Sequence, residues 1–479
     1  MLFNSLQYAI FLPIVFALYW ILPHKWRWIL ILASSYYFYM NWNAKYLLLI
    51  VFITFITYIG SLLIEKAKDR KQQKLCVGMV IFVSIAILFV FKYFNFFGDL
   101  VVTVLNWASL PAPEITLSLL LPVGISFYTF QSIGYIIDVY RGDIEAEHHF
   151  GKYASFVAFF PQLVAGPIER TANLLPQLRK EQFFSYDQAS YGLKLMAWGY
   201  FKKIVVADTL GAYVDKIYGD LHFFSGGARF FVIFFFAIQI YCDFSGYSDI
   251  ARGTSKLFGI ELMENFKSPY FSTTIKEFWR RWHISLSSWF KDYVYIPLGG
   301  NRVSRLRNSL NLLITFLLSG LWHGAALTFV AWGGLHGAAQ VAEKTLDSTK
   351  LMGLKKKLPF AIQVIINFVI VSILWVFFRA QSFKDAAYTL LFCFSGFENP
   401  IQWLTSAFGN LGIGWIEGIR IAGMLILLGV FDYLSLKKDV IAEISKWKLG
   451  FRWILYVGFV ALIFLWAPAN SAEFIYFDF

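Results

Sequence analysis

Apolar residues run along this chain in blocks of roughly membrane-spanning length, separated by short polar stretches. The blocks fall at 5–22, 27–40, 44–64, 75–97, 115–140, 228–247, 309–342, 358–378, 417–436 and 450–468, with shorter pieces at 153–168, 189–206 and 384–397. A helix needs roughly 17–25 such residues to cross the hydrocarbon. The pattern predicts an all-α, polytopic membrane protein of about 10–12 transmembrane helices, with re-entrant and interfacial helices around a central cavity or tunnel. No repeat, low-complexity tract or long linker interrupts it. The whole of 1–479 therefore reads as one integral-membrane domain, with N-terminal helices over 1–114, a core over 115–342 and C-terminal helices over 343–479.

Two blocks depart from plain spanning helices. Residues 273–297, "TTIKEFWRRWHISLSSWFKDYVYIP", place Phe278, Trp279, Trp282, Leu286, Trp289, Phe290 and Tyr293 on one helical face. Lys276, Arg280, Arg281 and Lys291 lie on the others, which predicts a single basic, Trp-rich helix lying in the cytoplasmic interface. Residues 309–342 are flanked by basic loops and so should cross an even number of times. Trp322-His323-Gly324 near the centre leaves arms of about 14–18 residues, or ~20–27 Å, short of a ~30 Å core. A helical hairpin or two tilted helices follow, with His323 near a tip deep in the membrane towards the outer side.

Composition supports the membrane class. The 479 residues are 58% hydrophobic and only 15% charged, against about 25% charged in soluble proteins, and mean hydropathy is +0.58. The aromatic share of 20% suits lipid, interfaces and cavities alike. The opening "MLFNSLQ" lacks a basic n-region and no small-residue cleavage site follows, so no signal peptide is expected. Cys76, Cys242 and Cys393 are far apart in apolar segments, implying neither disulfides nor a zinc site, and no metal is expected.

The net charge of +12 is concentrated in loops. "EKAKDRKQQK" (65–74), "HKWR" (24–27), "LMGLKKKL" (351–358) and "LKKDVIAEISKWK" (436–448) carry much of it, and 267–307 holds eight Lys and Arg against two acids. Basic loops face the cytoplasm. Counting crossings from them predicts both termini extracytoplasmic, and a nucleic-acid partner is unnecessary.

Polar residues inside apolar blocks carry the candidate chemistry. Burying a polar group without a partner costs roughly 2–7 kcal/mol, so His323 is either a hydrogen-bonded core residue or retained for function. Gly320, Gly324, Gly333, Gly334 and Gly337 would let backbones or a ligand approach it. His283 shares the apolar stripe of its helix. It either caps a carbonyl in an anchor helix or forms a polar wall at a cytoplasmic entrance, where the neighbouring arginines could meet an anionic donor. Asp243 and Asp249, in "QIYCDFSGYSDIARG" (239–253), could pair with Arg252 or line a cavity. His148 and His149 belong to a charged loop, and His24 and His222 to an interface and a loop. His336, 13 residues past His323, reads as core packing. No H-x-x-x-x-D of soluble glycerolipid acyltransferases, G-x-S-x-G, H-E-x-x-H, Walker P-loop or D-x-D of sugar-nucleotide transferases occurs, so nucleotide hydrolase, metalloprotease and serine hydrolase readings lose most of their support.

Several stretches together resemble the membrane-bound O-acyltransferase (MBOAT) family, and within it the membrane subunits of bacterial alginate O-acetylation systems. They are "SYYFYMNW" (35–42), "LPVGISFYTFQSIGYIIDVYRG" (121–142), "FVAFFPQLVAGPIER" (156–170), "YCDFSGYSDIARG" (241–253), "EFWRRWHISLSSWFKDYVYIPLGGNR" (277–302) and "GLWHGAALTFVAWGGLHG" (320–337). The resemblance makes 115–342 the catalytic core and implies that His323 is the catalytic histidine and His283 the second signature histidine. Trp279, Arg280, Arg281, Trp282, Trp322 and Asp243 are then candidates for donor contact or tunnel lining. It implies acetyl-CoA as a substrate entering from the cytosol, with no permanently bound cofactor. The acceptor would be an extracytoplasmic polysaccharide such as alginate, or a serine of an outer acetyltransferase partner. The location implied is the bacterial inner membrane. His283, on the cytoplasmic side, is expected to orient the donor rather than to touch the acceptor. Acyl transfer to an alcohol needs a base for the hydroxyl proton, which a histidine supplies; whether His323 does this or briefly carries the acetyl group stays open. Alternatives are D-alanyl or other acyl transfer from a carrier protein to teichoic acid and, from a different class, a transporter. The tail "EFIYFDF" (473–479) reads as an interfacial aromatic end or as a docking strip for the outer partner.

Overall fold

The computed structural model describes residues 1–111, 116–164, 166–347, 349–468 and 474–475, without the side chains of 350–352. Among the described residues every regular element is helical. Six helical runs there are long and apolar enough to cross a bilayer: His24–Lys66, Arg70–Trp107, Gly226–Leu257, Phe360–Arg379, Trp415–Ser435 and Leu449–Trp466. The first two contain two helices each, meeting at a tight turn over Ala44–Tyr46 and a wide turn over Phe89–Tyr93. The chain forms two compact units, Met1–Leu193 with Ala251–Met263, and Lys194–Ile250 with Glu264–Phe479.

In the first unit the block expected at 115–140 is helical only over Ile125–Arg141. Gly124 (φ 75°) and Gly142 (φ 81°) frame it in the left-handed region. Polar side chains in this unit find partners close by, as an apolar setting demands. Thr54 donates to the Ile50 carbonyl at 2.6 Å, Thr57 bonds the Tyr153 hydroxyl at 2.8 Å, and Tyr135 donates to Ser61 at 2.8 Å.

In the second unit residues 309–342 fold back at His323 as a hairpin, Arg305–His323 and Leu327–Leu346. The arms are longer than expected, 19 and 20 residues, or ~28–30 Å, because the basic flanks also join the helices. Ser304 caps the first arm, accepting from the Arg307 N–H. The arms touch backbone to backbone. A Cβ on Gly320 would stand 2.3 Å from the Phe329 carbonyl oxygen, and one on Gly333 2.2 Å from that of Phe316. Small residues permit such contact between membrane helices.

The single interfacial helix predicted over 273–297 does not form. Two short helices, Ile275–Arg281 and Ile284–Phe290, are separated at Trp282-His283, where His283 adopts φ 42° and ψ 55°. The break is stabilised from outside the segment. The Asn265 carbonyl accepts from the Ile284 N–H at 3.0 Å, its side chain accepts from the Ser285 N–H at 3.2 Å, and the Lys267 N–H donates to the Arg281 carbonyl at 3.0 Å. These bonds replace helix bonds that the break removes.

Candidate functional site

The break between Trp282 and Ile284 turns His283 inward, where it is fully buried. His323 ends its helix and is 2% exposed. Gly324 then leaves the helix in an extended conformation. The two imidazoles, forty residues apart in the chain, have ring centres 6.3 Å apart. Trp322 lies beside both, 6.0 Å from His283 and 4.9 Å from His323. Phe244 meets the His283 ring edge-on at 4.6 Å. A left-handed histidine is uncommon, and such backbone conformations recur at functional sites. Burial pushes the His283 imidazole down to about 3, so the neutral ring is favoured.

The shell around His323 comes from the second hairpin arm and from Phe360–Arg379. Trp332 stands perpendicular to His323 at 5.1 Å and Phe378 lies at 5.5 Å. Trp375 packs on Trp332 at 5.2 Å and on Trp282 at 5.0 Å. His336, one turn beyond Trp332, belongs to the same buried ring cluster, and its Nδ1 accepts a hydrogen bond from Trp279 Nε1 at 3.2 Å. Sequence reasoning missed Trp332, Trp375 and Phe378, and read His336 as core packing, with which its complete burial agrees. The missed signal was local: Trp332 and His336 are spaced i, i+4, and so share one helical face.

A cavity of about 1,200 Å³ opens beside this cluster. Trp279 and Arg280 line it, as do Ile284, next to His283, and Ser319, one helical turn before His323. Its wall is basic: Lys276, Arg280, Lys291, Arg302, Lys344, Lys355 and Lys356 face only Glu343 and Asp347. The remaining candidates lie elsewhere. Arg281 is half-buried and pairs with Glu277 at 2.6 Å. Trp282 and Trp322 are in the ring cluster rather than the cavity wall. Asp243 pairs with Lys203 at 2.6 Å, and Lys203 also meets Asp208 at 2.8 Å, while Asp249 pairs with Lys202 at 2.6 Å. Among the described residues no cluster of three His, Cys, Asp or Glu could hold a metal ion.

At its two described residues the tail differs from both expectations. Phe474 and Ile475 are buried inside the second unit, 1% and 8% exposed, instead of lying on a surface. Ile475 N–H donates to Asp243 at 2.8 Å, and Phe474 packs on Tyr247 at 4.7 Å. The other tail residues, 473 and 476–479, lie outside the described residues.

Helices long and apolar enough to cross a bilayer, with histidines buried beside a basic cavity, define a polytopic membrane protein. Comparison with known proteins identifies the family. Residues 144–382 match the profile of the membrane-bound O-acyltransferase family. The chain is 40% identical over 444 residues to the "Probable alginate O-acetylase AlgI" of Pseudomonas aeruginosa, covering 91% of this chain and 82% of the relative. It is 36% identical over 505 residues to the protein of that name in Pseudomonas putida, covering both chains in full. It is also 36% identical over 422 residues to the peptidoglycan O-acetyltransferase of Helicobacter pylori, covering 81% of this chain and 78% of that one. The chain belongs to the membrane-bound O-acyltransferase family: it is a multi-pass membrane protein and an O-acyltransferase.

Proposed function

We propose that the protein moves an acetyl group from cytoplasmic acetyl-CoA to an extracytoplasmic polysaccharide, alginate or a similar envelope polymer, directly or through an outer acetyltransferase partner. The observation that carries this reading is the meeting of His323 and His283 in a buried ring cluster beside a basic cavity. The cavity's excess of cations suits the phosphates of a nucleotide thioester. The substrates in the relatives' names, alginate and peptidoglycan, support an envelope polysaccharide as acceptor.

His323 acts as general base. It takes the proton of the attacking hydroxyl as the new C–O bond forms, the C–S bond of the thioester breaks, and the proton passes to the leaving thiolate. A base of this kind is worth about 10²–10⁴-fold in rate. The surrounding Trp and Phe rings exclude water, which protects the thioester from hydrolysis. His283, at ring distance from His323, orients the reacting groups beside it.

The test places purified protein in liposomes with radiolabelled acetyl-CoA on the cytoplasmic face and follows label into polymer or a co-purified outer partner. Transfer by wild type and its loss in folded His323→Ala is the expected result. Equal transfer by the variant would make His323 structural. Absence of transfer from acetyl-CoA, with transfer from a D-alanyl carrier protein, would move the reading to D-alanylation.

A further inference from the structure

In the ring cluster around His323 four buried N–H groups have no acceptor among the described residues, those of Trp282, Trp375, Trp332 and His336 (Nε2), and only Trp332 and His336 share the helical arm that packs on His323. Both side chains are fully buried. The state of the His336 ring follows from its other nitrogen. Nδ1 accepts from Trp279 Nε1 at 3.2 Å, so it carries a lone pair, and the proton of the neutral ring is on Nε2. Nε2 sits across the ring from Nδ1, and its N–H therefore points away from Trp279. The Trp332 ring centre is 5.1 Å from that of His336 and 5.1 Å from that of His323. Trp375, Phe378 and Phe329 complete the same ring cluster.

An unmade hydrogen bond on a buried donor costs about 1–3 kcal/mol, and native proteins keep few such groups without a use for them. Here Trp332, whose ring faces His323, and His336 place two of them one helical turn apart. Acyl transfer supplies the missing acceptor. When an oxygen nucleophile attacks a thioester, negative charge gathers on the carbonyl oxygen. Donors fixed in a water-poor site stabilise that charge strongly. His323 does not provide this, because its basic nitrogen is engaged with the nucleophile's proton.

Resting on the acyl-transfer reading, we propose that Trp332 Nε1–H and His336 Nε2–H bind the acyl carbonyl oxygen of the thioester and hold the oxyanion formed when His323 deprotonates the acceptor. The ligand chemistry is that of a thioester carbonyl, reached from the cavity past Trp279. Trp279 then has a second role: its N–H holds the His336 tautomer in which Nε2 is a donor. In the step itself the carbonyl oxygen gains charge as the C–O bond forms and returns it as the C–S bond breaks. The two N–H groups keep their protons throughout.

The experiment measures kcat and KM for acetyl-CoA in proteoliposomes with wild type, Trp332→Phe, His336→Leu and His336→Gln. It also measures binding of S-ethyl-CoA, a thioether that lacks the carbonyl, to each purified protein. Phe keeps the ring and removes the N–H; Gln retains a donor that Leu lacks. Loss of one oxyanion donor lowers kcat about 10²–10³-fold, so Trp332→Phe and His336→Leu are expected in that range. KM and S-ethyl-CoA affinity should stay within about threefold of wild type, and His336→Gln should recover at least about tenfold in kcat over Leu. Unchanged kcat in both variants would overturn the proposal. So would loss of S-ethyl-CoA binding in step with kcat, or a Gln variant no better than Leu, since each marks a structural role. A wild type that binds S-ethyl-CoA but moves no acetyl group would instead overturn the function reading, and this inference with it.

Discussion

Replacing Gly333 with alanine puts a methyl group where the two hairpin arms touch. Its Cβ would stand 2.2 Å from the Phe316 carbonyl oxygen, where a comfortable C–H···O contact needs about 3.3 Å. The atom opposite is backbone, which cannot rotate away, so the arms must part by about 1 Å. His323 is on one arm and Trp332 on the other, 5.1 Å apart, and this spacing absorbs the shift. Overpacking of this kind costs about 1–3 kcal/mol of stability. A misplacement of about 1 Å at a reacting centre costs about 10²-fold in rate. The neighbouring residue is the control: a Cβ on Gly334 meets only the tip of the Leu317 side chain, at 3.2 Å. The assays are thermal melting in detergent, followed by tryptophan fluorescence, and acetyl transfer in proteoliposomes. Gly333→Ala should melt lower and transfer about 100-fold more slowly, while Gly334→Ala stays within about threefold of wild type. The reasoning is refuted if Gly333→Ala matches wild type in both assays, or if Gly334→Ala does equal harm.

Three other outcomes follow from the structure. Burial pushes the His283 imidazole down to about 3, against the 6.5 of an ordinary histidine in the unfolded chain. Between those values the unfolded chain binds more protons, so the stability present above pH 6.5 is lost as pH falls toward 3; thermal midpoints in detergent should drop over this range, and less steeply in His283→Gln, while equal slopes would contradict the burial argument. Lys203→Met leaves two buried carboxylates, Asp208 and Asp243, without their cation, and breaking a buried ion pair in this way costs about 3–5 kcal/mol. Its melting point should fall sharply, with the triple variant Lys203→Met, Asp208→Asn, Asp243→Asn less affected, and strict additivity would argue against coupling. Charge reversal at Arg280 and Lys344 on the cavity wall should raise KM for acetyl-CoA, with the effect shrinking in about 0.5 M salt; an unchanged KM would remove the cavity from the donor's path.

Most of the helical framework was legible in the chain. The apolar blocks coincide with helices such as Phe360–Arg379 and Trp415–Ser435, and Trp322-His323-Gly324 marked the turn of the hairpin. His283 was not legible, because its helical stripe is a statement about neighbours in the chain. The bonds that break the helix there come from Asn265 and Lys267, on a separate stretch. Phe474-Ile475 misled for a similar reason: this stretch fits an interface, but Asp243 supplies a buried acceptor for Ile475 N–H that composition does not reveal.

By itself the sequence determined the class of fold. In an apolar medium each segment must satisfy its own backbone hydrogen bonds, so long apolar blocks become helices whatever surrounds them. The same chemistry marks any imidazole within such a block, because its burial must be compensated. Only the tertiary structure decided which polar groups meet. The 6.3 Å between His283 and His323, the Trp279–His336 bond and the cationic wall beside them depend on helix contacts between residues far apart in the chain. Periodicity orients a side chain around its own helix axis, but the face it meets is set by packing against other helices.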